Sequence, residues 1–169
     1  KNLYKNNLGK NHIEIGPGTG YFLKQNQFNN LYLFDINNDI LNDSYENLKD
    51  NSKDTFKINK NIFNENEKIS IDNINSIGLS YVLHCVPNTL DKSLNYLINN
   101  LNQKNVILFG STVVPQKTNI VASTELFFLN KLGIFNNKNH NIDQLKNFCK
   151  NYEHEINVEG NVLVFKIKI

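Results

Sequence analysis

The feature that most constrains this chain is a loop. Residues 12–22 read HIEIGPGTGYF, so glycines at positions 16, 18 and 20 follow a short apolar run and precede a helix-like stretch. Closely spaced glycines let backbone N–H groups approach a ligand that larger side chains would hold away. A phosphate, a dinucleotide or another nucleoside would each suit such a loop.

Spacing separates these readings. A triphosphate loop needs G-x-x-x-x-G-K-[ST], and no lysine follows Gly20 at the required place. A dinucleotide loop needs G-x-G-x-x-G, but its third glycine position is Tyr21, whose ring would obstruct the close helix–strand approach. What remains is G-x-G-x-G with an acidic residue, Glu14, two positions ahead.

Downstream, apolar runs alternate with helix-like stretches, the pattern of a parallel sheet with right-handed crossovers. The first strand is HIEI, and a helix is expected to start near Thr19. Strands follow at 31–36, 55–60, 76–85 and 105–114. Helices are expected from Asp39, from the Pro87–Asn88 pair to about Leu101, at about 120–132 and at 141–150. The tail, HEINVEGNVLVFKIKI, reads as a hairpin turning at 159–161, so the sheet ends with an antiparallel strand.

Asp35 closes the second strand, on the same sheet edge as the glycine loop. A carboxylate there can accept hydrogen bonds from both hydroxyls of a ribose, each worth roughly 1.5–3 kcal/mol. The competing role for Asp35 is a helix cap. Asn61, after the third strand, could offer its amide to an adenine edge while Ile62 packs on the ring.

Composition narrows the partners. The 169 residues fit one domain, 1–169, with 40% hydrophobic content, and no apolar run approaches the ~18 residues that cross a bilayer. All 18 basic residues are lysine and the net charge is +2. Scattered lysines without arginine argue against a nucleic-acid surface. Cys85 and Cys149 have no zinc or disulfide spacing, so a reducing, cytoplasmic setting is expected and no metal. With Lys1 first and no methionine, the chain is expected to be a processed or trimmed piece.

Taken in order, EIGPGTG, LFD, NKNIF and LSYVLHCVP resemble the motif series of class I S-adenosylmethionine-dependent methyltransferases, from about Asn11 to the C-terminus. The segments SIGLSYVLHCVPN, VILFGSTVV and LNKLGIFNN are similar to a small-molecule branch from bacteria and fungi. The resemblance implies a Rossmann-like sandwich whose seven-stranded sheet has the order 3-2-1-4-5-7-6 with strand seven antiparallel. It further implies S-adenosylmethionine as cofactor. Glu14 and the loop Gly16, Pro17, Gly18, Thr19 and Gly20 would support its methionine part, Asp35 the ribose and Ile36 the adenine. Asn61, Ile62 and Ser80 complete the implied set. Asn61 and Asn75 stand where that family has aspartate, each change removing a charge.

Methyl transfer needs a positioned acceptor and excluded water, and a base only where the acceptor carries a proton. His84 is the candidate base, read as a strand residue near the cofactor loop; its alternative is a buried histidine bonded to backbone. Tyr81 could line the pocket or belong to the core. Cys85 is expected in the core, and His12, His140 and His154 at the surface. Phe128 and Phe135 are substrate-side candidates.

Only about eleven residues precede the first strand, where relatives carry covering helices. The site is therefore expected to be open, or covered by a partner chain or a second copy. The leading function is methylation of an oxygen or nitrogen of a small organic molecule. The alternative is a silent methyltransferase-like module that binds a protein.

Overall fold

The computed structural model describes residues 2–115 and 129–169. Its centre is a seven-stranded sheet in the order β3-β2-β1-β4-β5-β7-β6. β1 (Asn11–Ile15) pairs in parallel with β2 (Phe28–Asp35) and β4 (Ser76–Ser80). β3 (Ser52–Asn59) extends one side and β5 (Ile107–Val113) the other, both parallel. β7 (Val162–Lys168) runs antiparallel to β5 and to β6 (Glu153–Glu159), so the tail forms the expected hairpin. Order and strand direction both match the expected sandwich.

Helices cover both faces because their apolar positions recur at helical spacing. α3 (Leu90–Leu101) turns leucines 90, 94, 97 and 101 inward onto Ile13, Ile77 and Leu79, and α4 (Ile142–Cys149) adds Leu145 to the same core. On the opposite face, α1 (Asn2–Asn7) and α2 (Asn38–Leu48) bury Tyr4, Leu41 and Leu48 against Leu31, Leu33 and Phe109. Each fully buried leucine contributes roughly 1.5–3 kcal/mol.

Caps set the helix ends. Asn37 opens α2 by accepting from the Asp39 amide at 2.9 Å, which leaves Asp35 without that role. Asn141 and Gln144 form a reciprocal capping box on α4. α3 stops where Asn102 takes the left-handed conformation.

Several expectations need correction. No helix starts at Thr19: residues 21–25 form turns, with Lys24 N–H donating to the Gly20 carbonyl at 3.2 Å. Only residues 21–27 separate Gly20 from β2, too short a span for a helix and its return. β4 ends at Ser80 instead of running to 85, because Tyr81 takes a positive φ of +59° and Leu83–Cys85 form a 3-10 turn. Cys85 is exposed, not core. His12 and His140 are buried instead of superficial, whereas His154 is exposed. Phe128 and most of the helix expected at 120–132 lie outside the described residues.

β1 explains the buried histidine. Ile13 and Ile15 face the α3 core, so His12 and Glu14 face α1. Glu14 accepts from the Tyr4 hydroxyl at 2.6 Å and meets His12 Nε2 at 2.9 Å, while His12 Nδ1 meets the Ser76 hydroxyl at 2.8 Å. Gly78 supplies the space, since a Cβ there would lie 2.3 Å from a Glu14 carboxylate oxygen.

Candidate active site

Parallel strands of this kind point their C-terminal tips at one edge, where ligands bind. At that edge a cleft of about 420 Å3 opens between the tips of β1, β2 and β4. The size falls in the roughly 300–1,000 Å3 range of small-molecule and cofactor sites. Gly16 and Gly18 form part of its wall, as do Asp35 and Ile36 after β2, Asn61 and Ile62 after β3, and Tyr81 after β4. Seven residues expected at a site from sequence thus share one cleft.

The loop's geometry follows from its glycines. Gly16, Gly18 and Gly20 all have positive φ. A Cβ at Gly16 would meet Val82 at 2.5 Å, and one at Gly20 would meet Leu48 at 2.6 Å, so both let the loop press onto its neighbours. Gly18 faces open space. The Gly16 amide donates to the Phe34 carbonyl and the Gly20 amide to the Pro17 carbonyl. Among the described residues, no protein acceptor takes the Gly18 or Thr19 amides, which remain free to donate.

Asp35 is partly committed. One carboxylate oxygen accepts the Asn37 amide at 2.9 Å; the other has no partner among the described residues. Ile36 is 71% exposed, an apolar side chain left at the cleft's lip. Asn61 accepts the Phe63 amide on its carbonyl oxygen, leaving its NH2 group to donate. Asn75 lies at the opposite end of β4, where its side-chain oxygen accepts the Asn11 amide.

Other expected residues lie elsewhere. Pro17, Thr19 and Gly20 belong to the loop but do not line the cleft, and Ser80 lines a neighbouring one. The Glu14 carboxylate is buried with Tyr4 and His12. His84 is buried, its ring 4.1 Å from that of Phe135 and 6.2 Å from that of Tyr81. Among the described residues its Nδ1 has no hydrogen-bond partner, and burial, with His140 nearby, pushes its pKa down to about 4. Among the described residues no cluster could hold a metal ion.

Sequence reading missed Phe34, Ile40 and Phe63, which give the cleft its apolar floor, and Lys60 and Cys85 at its wall. The apolar three look like core residues in any periodicity. Cys85 was hidden by the assumption of a continuous strand.

An order of 3-2-1-4-5-7-6 with one antiparallel strand, and a glycine loop at the tip of β1, defines the class I methyltransferase architecture. Comparison with known proteins agrees. Demethylluteothin O-methyltransferase of Streptomyces thioluteus is 30% identical over 163 residues, covering 90% of this chain and 68% of that protein. N-methyltransferase vrtF of Penicillium aethiopicum is 26% identical over 175 residues, covering 96% of this chain and 71% of that protein. No family model matches. The fold is shared with N-methyltransferase NodS of Bradyrhizobium japonicum, with a TM-score of 0.62, 11% identity, and coverage of 98% of this chain and 88% of that one. It is shared also with the CurJ carbon methyltransferase, at a TM-score of 0.65 and 17% identity. Here the match covers 96% of this chain but about half, 49%, of that one. The chain belongs to the class I S-adenosylmethionine-dependent methyltransferases.

Proposed function

We propose that the chain binds S-adenosylmethionine in the cleft at the strand tips and methylates an oxygen or nitrogen of a small organic molecule. The observation that carries this reading is that Asp35, with one open carboxylate oxygen, lines the same cleft as the glycine loop. The residues fit the cofactor's chemistry. Asp35 would take the ribose hydroxyls, Ile36 and Ile62 would contact the adenine, and the Asn61 NH2 would donate to a ring nitrogen. The Gly18 and Thr19 amides would receive the carboxylate of the methionine part.

When bound, the cofactor supplies a sulfonium methyl group already activated for in-line displacement. The chain's own work is then to hold the acceptor in line and keep water away, which can supply ~7–11 kcal/mol in favourable cases. Tyr81 stands at the cleft wall, where its ring face would favour a cationic centre. In this reading His84 supports Tyr81 from behind. A group whose pKa is about 4 is a weak base for neutral pH.

The chain is read as one catalytic unit over 1–169, working in the cytoplasm; no described helix is long and apolar enough to cross a membrane. The silent-module alternative draws on the short stretch before β1 and on two asparagines, of which Asn75 lies away from the cleft, bonded to β1.

Calorimetric titration with S-adenosylhomocysteine tests the reading. Saturable binding that Asp35→Ala weakens about 10- to 100-fold would support it. An absence of heat with folded protein would overturn it.

A further inference from the structure

A second cleft, of about 270 Å3, shares Tyr81 with the first. It lies over the tips of β4 and β5 and the start of β7, where Ser80 pairs with Ser111 and Ser111 with Val164. Val162 and Val164 give it an apolar side. The opposite side is aromatic: Tyr4 and Phe22 stack with ring centroids 4.8 Å apart. Among the described residues lining it, Glu159 is the only carboxylate, and there is no lysine.

Two of these walls are held rigidly. Tyr81 has a left-handed backbone, and its amide is anchored by donating to the Ser111 carbonyl at 2.7 Å. A non-glycine residue in that conformation costs of order 1–3 kcal/mol and is found where a side chain must be aimed. Tyr4 is held through its hydroxyl, committed to Glu14, which His12 braces in turn. The Tyr4 ring is therefore a fixed surface, and among the described lining residues Glu159 at the rim is left as the charged group.

We propose that this second cleft seats the methyl acceptor, and that the acceptor is a small ring-bearing amine. The inference rests on the methyl-transfer reading above and deepens it. A flat ring matches the Tyr4–Phe22 wall, as aromatic pairs favour stacked or edge-on contact. Glu159 selects nitrogen over oxygen. The carboxylate draws in the cationic amine, which gives its proton to water; the freed lone pair then forms the N–CH3 bond as the S–CH3 bond of the sulfonium breaks and S-adenosylhomocysteine leaves. The positive charge that reaches nitrogen is stabilised by Glu159 until its proton passes to water. A hydroxyl must shed its proton and gain negative charge, which the same carboxylate opposes. A carboxylic acid is repelled from the outset.

Three probes of matched shape separate these cases: benzylamine, benzyl alcohol and benzoate, each titrated by ligand-observed NMR against protein with and without S-adenosylhomocysteine. The expected result is benzylamine binding at least tenfold tighter than benzyl alcohol, with benzoate weakest. Glu159→Gln, an exposed change on the hairpin, should erase that preference while leaving S-adenosylhomocysteine affinity unchanged. Equal binding of amine and alcohol, or an amine preference that survives Glu159→Gln, would overturn the inference and leave the methyl-transfer reading standing. Failure of S-adenosylhomocysteine to bind would instead overturn that reading.

Discussion

The Tyr4 hydroxyl donates to the Glu14 carboxylate at 2.6 Å, and this contact ties α1 to the strand that delivers the glycine loop. Burial and the adjacent carboxylate push the phenol well above its ordinary pKa, so it stays a donor at every ordinary pH. Ser76 accepts the Gly9 amide at 2.7 Å, so its own proton can go to His12 Nδ1. His12 Nε2–H then donates to Glu14, so each of these four side chains has its partner.

Tyr4→Phe would leave a buried carboxylate oxygen unmet, at a cost of roughly 1–3 kcal/mol. Urea denaturation should show that loss, and amide exchange should be faster in α1 than in wild type. An unaltered midpoint would mean that the contact contributes nothing to holding α1.

This network was illegible in the sequence for a physical reason. HIEI reads as a short buried strand with His12 expected at the surface, and nothing local shows that a tyrosine eight positions upstream of His12 closes over it and Glu14. The sheet order, by contrast, could be read, because apolar runs separated by helix-like stretches leave few ways to pair strands. Asp35 and the glycines stood out because their positions relative to the strand ends are set by the chain itself. Tyr81 was legible as a pocket residue, but the positive φ that ends β4 beneath it has no local sequence signal, so the strand seemed to continue to Cys85.

Asp35 separates binding from folding. It is partly exposed and its one side-chain bond is to the exposed Asn37 amide, so Asp35→Ala should shift stability by less than about 1 kcal/mol. The loss of ribose hydrogen bonds should weaken S-adenosylhomocysteine about 10- to 100-fold by calorimetry. Asp35→Asn, which keeps the shape and one acceptor, should fall between.

The three loop glycines should respond differently to alanine. Gly20→Ala adds a Cβ 2.6 Å from the buried Leu48 in a backbone conformation that already disfavours it, so about 1–3 kcal/mol of stability should go. Gly16→Ala meets Val82 in the same way. Gly18→Ala faces open space and should cost only the conformational penalty, about 1 kcal/mol, while crowding the cofactor's approach. Thermal melts run beside cofactor titrations would show stability lost at Gly16 and Gly20 and affinity lost at Gly18. The same melting temperature in all three variants would contradict the packing described for the loop.

His84 should make the fold sensitive to acid. Burial, with His140 nearby, lowers its pKa from 6.5 to about 4 in the folded chain, and burial lowers that of His140 too. The unfolded chain therefore takes up the proton first. Stability is full above about pH 6.5, declines as pH falls toward 4, and stops changing with this group below that. The loss assigned to His84 is on the order of 2 kcal/mol. His84→Gln removes the titration, so its unfolding free energy should fall less steeply between pH 7 and 4 than that of wild type. Turnover adds a second readout. A proton-transfer role for His84 would place the break in the rate profile near pH 4, and the variant would erase it. A break near 6.5 that survives His84→Gln would assign the proton to another group.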